Sequence, residues 1–408
     1  MKRIDATGDV RQIGPLLDRR EILKAGAGLV AAPILAGIPA GAQAESQTGA
    51  TNTGPYRTRA YGTTSADRPI GPIEIVRRTL EAHDVLIDVL YCGICHSDIH
   101  TVHGHKSQEG SPVVPGHEII GRVAAIGNAV TKFKVGDIAG VGCMVDSCRT
   151  CENCEADREQ NCLNGTTFTY GSPDKRGTAP TTYGGYSERI VVTEHFGIRI
   201  PPGMDLAATA PLLCAAITTF SPMQHWRVEG GQRVGVIGLG GLGHMAVKLA
   251  VARKVDVTVF TTSPGKIADA KRLGAKEAVL STDAEAMKRL ANRFDLLIST
   301  VPVPYAMQPF IDLLKLDATL VNVGTLGEIP AGLSGIKMVI GRKSLAGSLI
   351  GGIAETQEVI DYCAARGIKA DVEIIKPQDI NRAYERVLNK DVRYRFVIDI
   401  ASRGAAGA

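Results

Sequence analysis

The sequence predicts an α/β protein: a β-rich part comes first, and a doubly wound parallel sheet follows it. Three observations carry this. Between about Pro55 and Pro201, short apolar strands alternate with turn signals such as Gly127-Asn128 and Val135-Gly136-Asp137. From about Met204, short apolar strands alternate with helical stretches. Within that second part Arg233-Val234-Gly235-Val236-Ile237 runs directly into Gly238-Leu239-Gly240-Gly241-Leu242-Gly243 and then a helical stretch, 244–253. A glycine run between a strand and a helix lets the backbone approach a pyrophosphate at the helix N-terminus.

At 408 residues the chain is too long for one ordinary core, so two domains are expected. A hydrophobic fraction of 44% and a charged fraction of 22% fit a soluble enzyme and exclude disorder. The net charge of +4 is small and no basic run of helix length occurs, so nucleic acid is not an expected partner.

The N-terminus reads as a leader. Asp18-Arg19-Arg20-Glu21-Ile22-Leu23-Lys24 precedes an Ala/Gly-rich run from Ala25 to about Ala40 and a small-x-small site, Ala42-Gln43-Ala44. The arginine pair resembles the twin-arginine export signal, with Asp18 where Ser or Thr is usual. Residues 1–44 are therefore expected to be a twin-arginine-type signal segment and 45–54 a linker. Pro33, Pro39 and the glycines argue against a stable membrane span. The expected location is periplasmic, or cytoplasmic if the leader does not function.

Val85–Tyr91 reads as a strand leading into Cys92-Gly93-Ile94-Cys95-His96-Ser97-Asp98-Ile99-His100. Cys95 is a thiolate candidate and His117, in Pro115-Gly116-His117-Glu118, an imidazole candidate. Thiolate with imidazole suits zinc, and a catalytic zinc takes three protein ligands. The best third candidate is Cys214, in an apolar run. The bland alternative is that both cysteines are small buried hydrophobes. His96, His103 and His105 read as loop residues, and Cys92 with Cys95 forms a C-x-x-C that could be a redox pair.

Cys148-x-x-Cys151-x-x-Cys154-x7-Cys162 follows. Four thiols at this spacing suit one tetrahedral zinc that staples a loop without a core of its own. Two disulfides or an iron–sulfur cluster are the rival readings.

The second strand of the alternating part, Val257–Phe260, ends in Thr261-Thr262-Ser263-Pro264-Gly265-Lys266. An NAD site places an acidic residue here, and none is present. Hydroxyls from Thr261, Thr262 and Ser263, with the Lys266 cation, fit a 2′-phosphate, so NADP(H) is the expected coenzyme, bound also by Gly238, Gly240, Gly241, Leu242 and Gly243. Helices at 357–366 and 379–388 and a strand at 394–400 close the chain.

These motifs, with Leu212–Thr219 and Tyr394–Asp399, resemble the zinc-dependent medium-chain alcohol dehydrogenase superfamily over roughly Pro55–Ser402. Within it the chain is most similar to the cinnamyl-alcohol-dehydrogenase-like aldehyde reductases. The resemblance implies a GroES-like catalytic domain, 55–202 and 347–402, with a Rossmann domain, 203–346, inserted and the active site between them. It implies a catalytic zinc on Cys95, His117 and Cys214 and a structural zinc on Cys148, Cys151, Cys154 and Cys162, two per chain. Glu118 would stand beside the metal, Asp98 would orient His117, and Ser97 and His100 would relay a proton. Arg395 resembles the arginine that reaches the coenzyme phosphates. The implied reaction is reversible NADP(H)-linked reduction of aldehydes to primary alcohols, with broad or aromatic substrates, by a homodimer. A polyol or formaldehyde dehydrogenase is the alternative within enzymes, and a non-catalytic zinc- or nucleotide-binding protein the alternative outside them.

Overall fold

The computed structural model describes residues 3–4, 10–11, 54–104, 111–177, 179–325, 327–329 and 332–402. The chain divides into two units, 1–49 and 50–408. In the first, the short strands Arg3–Ile4 and Val10–Arg11 pair antiparallel. The residues that carry the export-signal reading, 18–44, lie outside the described residues, as does His105.

The second unit is built on two large sheets. One has seven strands, ordered Gly197–Arg199, Ile138–Val141, Ile119–Ile126, Asp84–Gly93, Arg395–Asp399 and Val372–Ile375, with Arg189–Thr193 also paired to Asp84–Gly93. Its pairs are antiparallel except the last, Val372–Ile375 with Arg395–Asp399. The other has six strands, all parallel, ordered Glu277–Leu280, Asp256–Thr261, Arg233–Ile237, Phe294–Ser299, Leu314–Asn322 and Ser344–Gly347. This is the Rossmann order, and it reverses direction between Arg233–Ile237 and Phe294–Ser299. All six strands lie in the chain between the Gly197–Arg199 and Val372–Ile375 strands of the seven-stranded sheet, so the Rossmann part is an insertion.

The insertion matters because it brings two distant segments together. The closing strand pairs Val397 with Gly93 and Ile398 with Cys92. Ile94 N–H then donates to the Phe396 carbonyl at 2.8 Å. The Cys95 turn is thereby fixed by residues three hundred positions away, and Arg395 is carried to its side.

One local reading is corrected. His96 and His103, expected in a loop, are the ends of an α-helix, His96–His103. Its start is stabilised by Asp98 at the third helical position: Cys95 N–H donates to the Asp98 carboxylate at 2.7 Å, the return arm of a capping box, and a turn bond runs from Asp98 N–H to the Cys95 carbonyl at 3.1 Å. A stretch rich in histidine and β-branched residues has low helix propensity, and the cap outweighs it. The helix expected at 244 starts earlier, inside the glycine run, as Gly241–Ala252. Among the described residues no single helix is long and apolar enough to cross a membrane.

Candidate active site

Asp98 is where the site is assembled. Its carboxylate has no exposed surface and takes the Cys95 N–H at 2.7 Å, the Gly116 N–H at 3.1 Å and the Tyr186 hydroxyl at 3.3 Å. His117 Nδ1 lies 3.4 Å from the same carboxylate. This holds the ring so that Nε2 faces Cys214 Sγ at 3.3 Å. The tight turn before His117 needs glycine: Gly116 has φ +104°, and a Cβ there would come within 2.7 Å of Cys92 Sγ. Cys92 itself is wholly buried core.

Cys214 arrives from the other side, at the junction of a 3-10 turn, Ala210–Leu213, and the helix Ala215–His225. Its sulfur is 3.8 Å from that of Cys95. Donor atoms of Cys95, His117, Glu118 and Cys214 all lie within 4.8 Å of one another, and all four residues are buried. The hydrogen bond with Cys214 pushes the Cys95 thiol well down, toward the thiolate, while hydrogen bonds with Cys143 and then Cys95 push Cys214 well up.

Glu118 completes the cluster. It is fully buried, and neither carboxylate oxygen has a hydrogen-bond donor among the described residues. Burial pushes its pKa up to about 7, against the pull of the Arg395 guanidinium. Arg395 Nη2 stands 2.8 Å from Glu118 Oε1, an ion pair by distance but not aligned as a hydrogen bond. A buried carboxylate without a donor, facing two thiols and an imidazole, is the environment of a cation. Two sulfurs and one nitrogen select zinc and leave a fourth position for a substrate oxygen.

Ser97 is half-buried, with its Oγ 3.7 Å from Cys95 Sγ, and His100 is exposed one turn further along the same helix. No hydrogen bond joins Ser97 to His100 among the described residues.

The four-cysteine lobe converges as well. The sulfurs of Cys148, Cys151, Cys154 and Cys162 lie within 4.8 Å of one another. Cys148 and Cys154 sulfurs are 3.9 Å apart, far beyond the roughly 2.05 Å of a disulfide. Backbone N–H groups point at the sulfurs: Cys151 to Cys148 at 3.3 Å, Leu163 to Cys151 at 3.4 Å, and Cys148 to Cys162 at 3.4 Å. Such donors stabilise thiolates, so the cluster fits a structural zinc.

The glycine loop is shaped for close approach. Gly238 has φ +90°, and a Cβ on Gly243 would meet the Gly238 carbonyl at 2.2 Å. Gly240 faces open space, with nothing within 4 Å of the place a Cβ would take. A phosphate fits there, against the N-terminus of the Gly241–Ala252 helix, which Leu242 enters half-buried. On Gly241 the obstacle is Arg395, whose Nη1 would lie 2.6 Å from a Cβ. Arg395 therefore lies between the glycine loop and the metal cluster.

Of the four residues expected at the 2′-phosphate, Thr262, Ser263 and Lys266 stand at the open end of the Asp256–Thr261 strand. Thr261 is buried, and its hydroxyl accepts the Ser263 N–H at 3.1 Å. Lys266 Nζ donates to the Leu239 carbonyl at 2.8 Å.

Besides Tyr186, three residues emerge only from the structure. The Tyr170 ring stacks on His117, centroids 5.6 Å apart and 27° between planes. Tyr384 donates to Tyr186 at 3.4 Å and so extends the Asp98 network. His244, fully buried, joins the Gly240 carbonyl (3.3 Å from Nδ1) to the Asp371 N–H (3.3 Å from Nε2) and stacks on Tyr394. A histidine inside an apolar helical stretch gives no sequence sign of that bridge.

The alcohol dehydrogenase GroES-like domain matches residues 81–202, and the zinc-binding dehydrogenase family matches 241–365. The NADP-dependent alcohol dehydrogenase C 1 of Mycolicibacterium smegmatis is 51% identical over 344 residues, 84% of this chain and 98% of that protein. The chain belongs to the zinc-dependent medium-chain alcohol dehydrogenase superfamily. The aldehyde reductase YahK of Escherichia coli is 48% identical to this dehydrogenase over 84% of the chain and 98% of its own length. A solved cinnamyl alcohol dehydrogenase from Sorghum bicolor superposes with a TM-score of 0.81 at 41% identity, covering 85% of this dehydrogenase and 98% of the sorghum chain. The Helicobacter pylori enzyme of the same type, solved with NADP(H), gives 0.79 at 39%, covering 85% and 98%.

Proposed function

We propose that this chain catalyses reversible, NADP(H)-linked reduction of aldehydes to primary alcohols, with Cys95, His117 and Cys214 holding a catalytic zinc. The observation that carries the proposal is the convergence of those three side chains beside a buried Glu118–Arg395 pair that abuts the glycine loop. Metal site and coenzyme site are thus neighbours through one guanidinium. The NADP-dependent alcohol dehydrogenases and the aldehyde reductase among its relatives support the coenzyme and the substrate class.

When bound, zinc polarises the substrate oxygen as a Lewis acid and NADPH supplies the hydride. The chain's own residues prepare and finish the reaction. Asp98 fixes the His117 ring. The Ser97 hydroxyl, next to Cys95, hands a proton to the product oxygen and would be reprotonated through the coenzyme ribose hydroxyl from exposed His100, which takes its proton from solvent. Arg395 balances the charge of Glu118 and aligns the glycine loop. Cys148, Cys151, Cys154 and Cys162 hold the second zinc and keep their lobe folded.

Two wider features belong to this reading. The protein is a homodimer: Ile336, Val339 and Ile340 are 64, 73 and 73% exposed on the Gly335–Gly341 helix, beside the edge strand Ser344–Gly347. An apolar face next to an unpaired strand is the composition of a subunit interface. The enzyme is exported by the twin-arginine route to the periplasm with its metals in place, as the pattern of residues 18–44 supports.

The test is an initial-rate panel: ethanal, benzaldehyde and cinnamaldehyde against NADPH and NADH, with and without a chelator. NADPH-preferring, chelator-sensitive reduction is expected. Turnover that prefers NADH, or survives removal of all metal, contradicts the proposal.

A further inference from the structure

A 2′-phosphate carries nearly two negative charges, and the turn after the second Rossmann strand offers only one cation, Lys266, to meet them. The remaining charge comes from the other lobe. The turn that leads into the closing strand of the GroES-like sheet contains Lys390 and Arg393. Arg393 Nε donates to Asp269 Oδ2 at 2.7 Å. Asp269 lies three residues beyond Lys266 on the helix Lys266–Arg272, hence on the same helical face one turn away. The bond takes one edge of the guanidinium and leaves Nη1 and Nη2 without a partner among the described residues.

Lys390 Nζ likewise has no partner among the described residues. The turn itself is held in place: Arg393 N–H donates to Glu373 at 3.2 Å, and Arg386 is neutralised by Glu373 at 2.8 Å and Asp391 at 3.1 Å. Asp269, the carboxylate at this face, is shared between Arg393 and Arg272, the latter 3.8 Å away. The Lys266 ammonium is pushed below its ordinary range by burial, then by the charges of Arg393 and Lys390. Lys266 N–H donates to the Ser263 carbonyl at 3.0 Å, which ties this face to the Thr262–Ser263 turn, and an excess of cations over the one shared carboxylate, Asp269, favours an anion.

We propose that Arg393, with Lys390 beside it, completes the 2′-phosphate site from the GroES-like lobe, so that coenzyme choice is made by both lobes together. The free edge of the guanidinium matches two phosphate oxygens, a geometry a lysine cannot copy. The proposal rests on the NADP(H) reading and adds the residues that discriminate.

The test measures binding of 2′,5′-ADP and of 5′-AMP to the purified full chain by calorimetry, for wild type, R393Q, R393K, K390Q, K266Q and D269N. R393Q should weaken 2′,5′-ADP about tenfold and leave 5′-AMP within about twofold; K390Q should cost about threefold and R393K an intermediate amount. D269N keeps every cation and should retain 2′,5′-ADP binding. If D269N reproduces the R393Q loss, or R393Q weakens both ligands equally, Arg393 only ties the lobes together and the proposal is overturned. If K266Q alone discriminates, the two-lobe site falls and the NADP(H) reading stands. If wild type itself binds the two ligands equally, both fall.

Discussion

Arg395 and Glu118 form a buried ion pair, 2.8 Å between Nη2 and Oε1, with side chains 5 and 0% exposed. One partner leans on the glycine loop through Gly241 and the other completes the thiol–imidazole cluster. Removing one member strands a buried charge, which typically costs about 3–5 kcal/mol. R395M should therefore destabilise the protein by about that amount and raise the KM for NADPH. The double variant E118Q/R395M should recover part of the stability, since no charge is left alone. A double-mutant cycle on thermal unfolding checks this; strictly additive effects would remove the pair from the account.

The cysteine lobe has few buried apolar groups of its own, with Leu163 63% exposed and Cys151 only half-buried. C151S should reduce bound zinc from two ions to one per chain and make residues 148–162 sensitive to protease. Metal analysis with limited proteolysis reads both effects. Unchanged stoichiometry would assign the second metal elsewhere.

His244 gives a pH signature. Burial, then the charges of Lys248 and Arg395, push it down to about 3. The unfolded histidine titrates near 6.5, so between about 6.5 and 3 the unfolded chain binds more protons than the folded one. Its contribution is complete above about 6.5 and is lost as the pH falls toward about 3, at up to roughly 1.4 kcal/mol per pH unit. H244Q should flatten that part of the stability profile relative to wild type. Equal slopes in urea titrations at pH 7, 6 and 5 would contradict the assignment.

Ser97 and His100 should separate kinetically. S97A should lower kcat by about 100-fold or more with zinc content unchanged, because its proton path ends at the product. H100Q should cost less, about tenfold, since His100 is exposed and water reaches its place. Steady-state rates with metal analysis test the pair; a loss of zinc in S97A would make Ser97 a support of the ligand shell instead.

The sequence made some of this legible and hid the rest for physical reasons. Cys95 and His117 stood out because a thiol and an imidazole in glycine-flanked turns have few structural uses, and Cys214, in an apolar run, followed only as the best third candidate for a zinc. The glycine run was readable because its setting, strand then helix, is local. The His96–His103 helix was missed because its stability comes from the Asp98 cap and not from propensity. Thr261 looked available, yet the parallel sheet is covered on both faces and buries it to 5% exposure. His244 and Arg393 were invisible because the partners that give them a role, Asp371 and Asp269, come from the other lobe.

The central claim is a metal at the meeting point of Cys95, His117 and Cys214. A crystal of the holoenzyme, with anomalous data collected on both sides of the zinc edge, tests it most directly. The account predicts a zinc peak about 2.3 Å from the Cys95 and Cys214 sulfurs and about 2.1 Å from His117 Nε2. A holoenzyme whose anomalous peaks are confined to the four-cysteine lobe would contradict it.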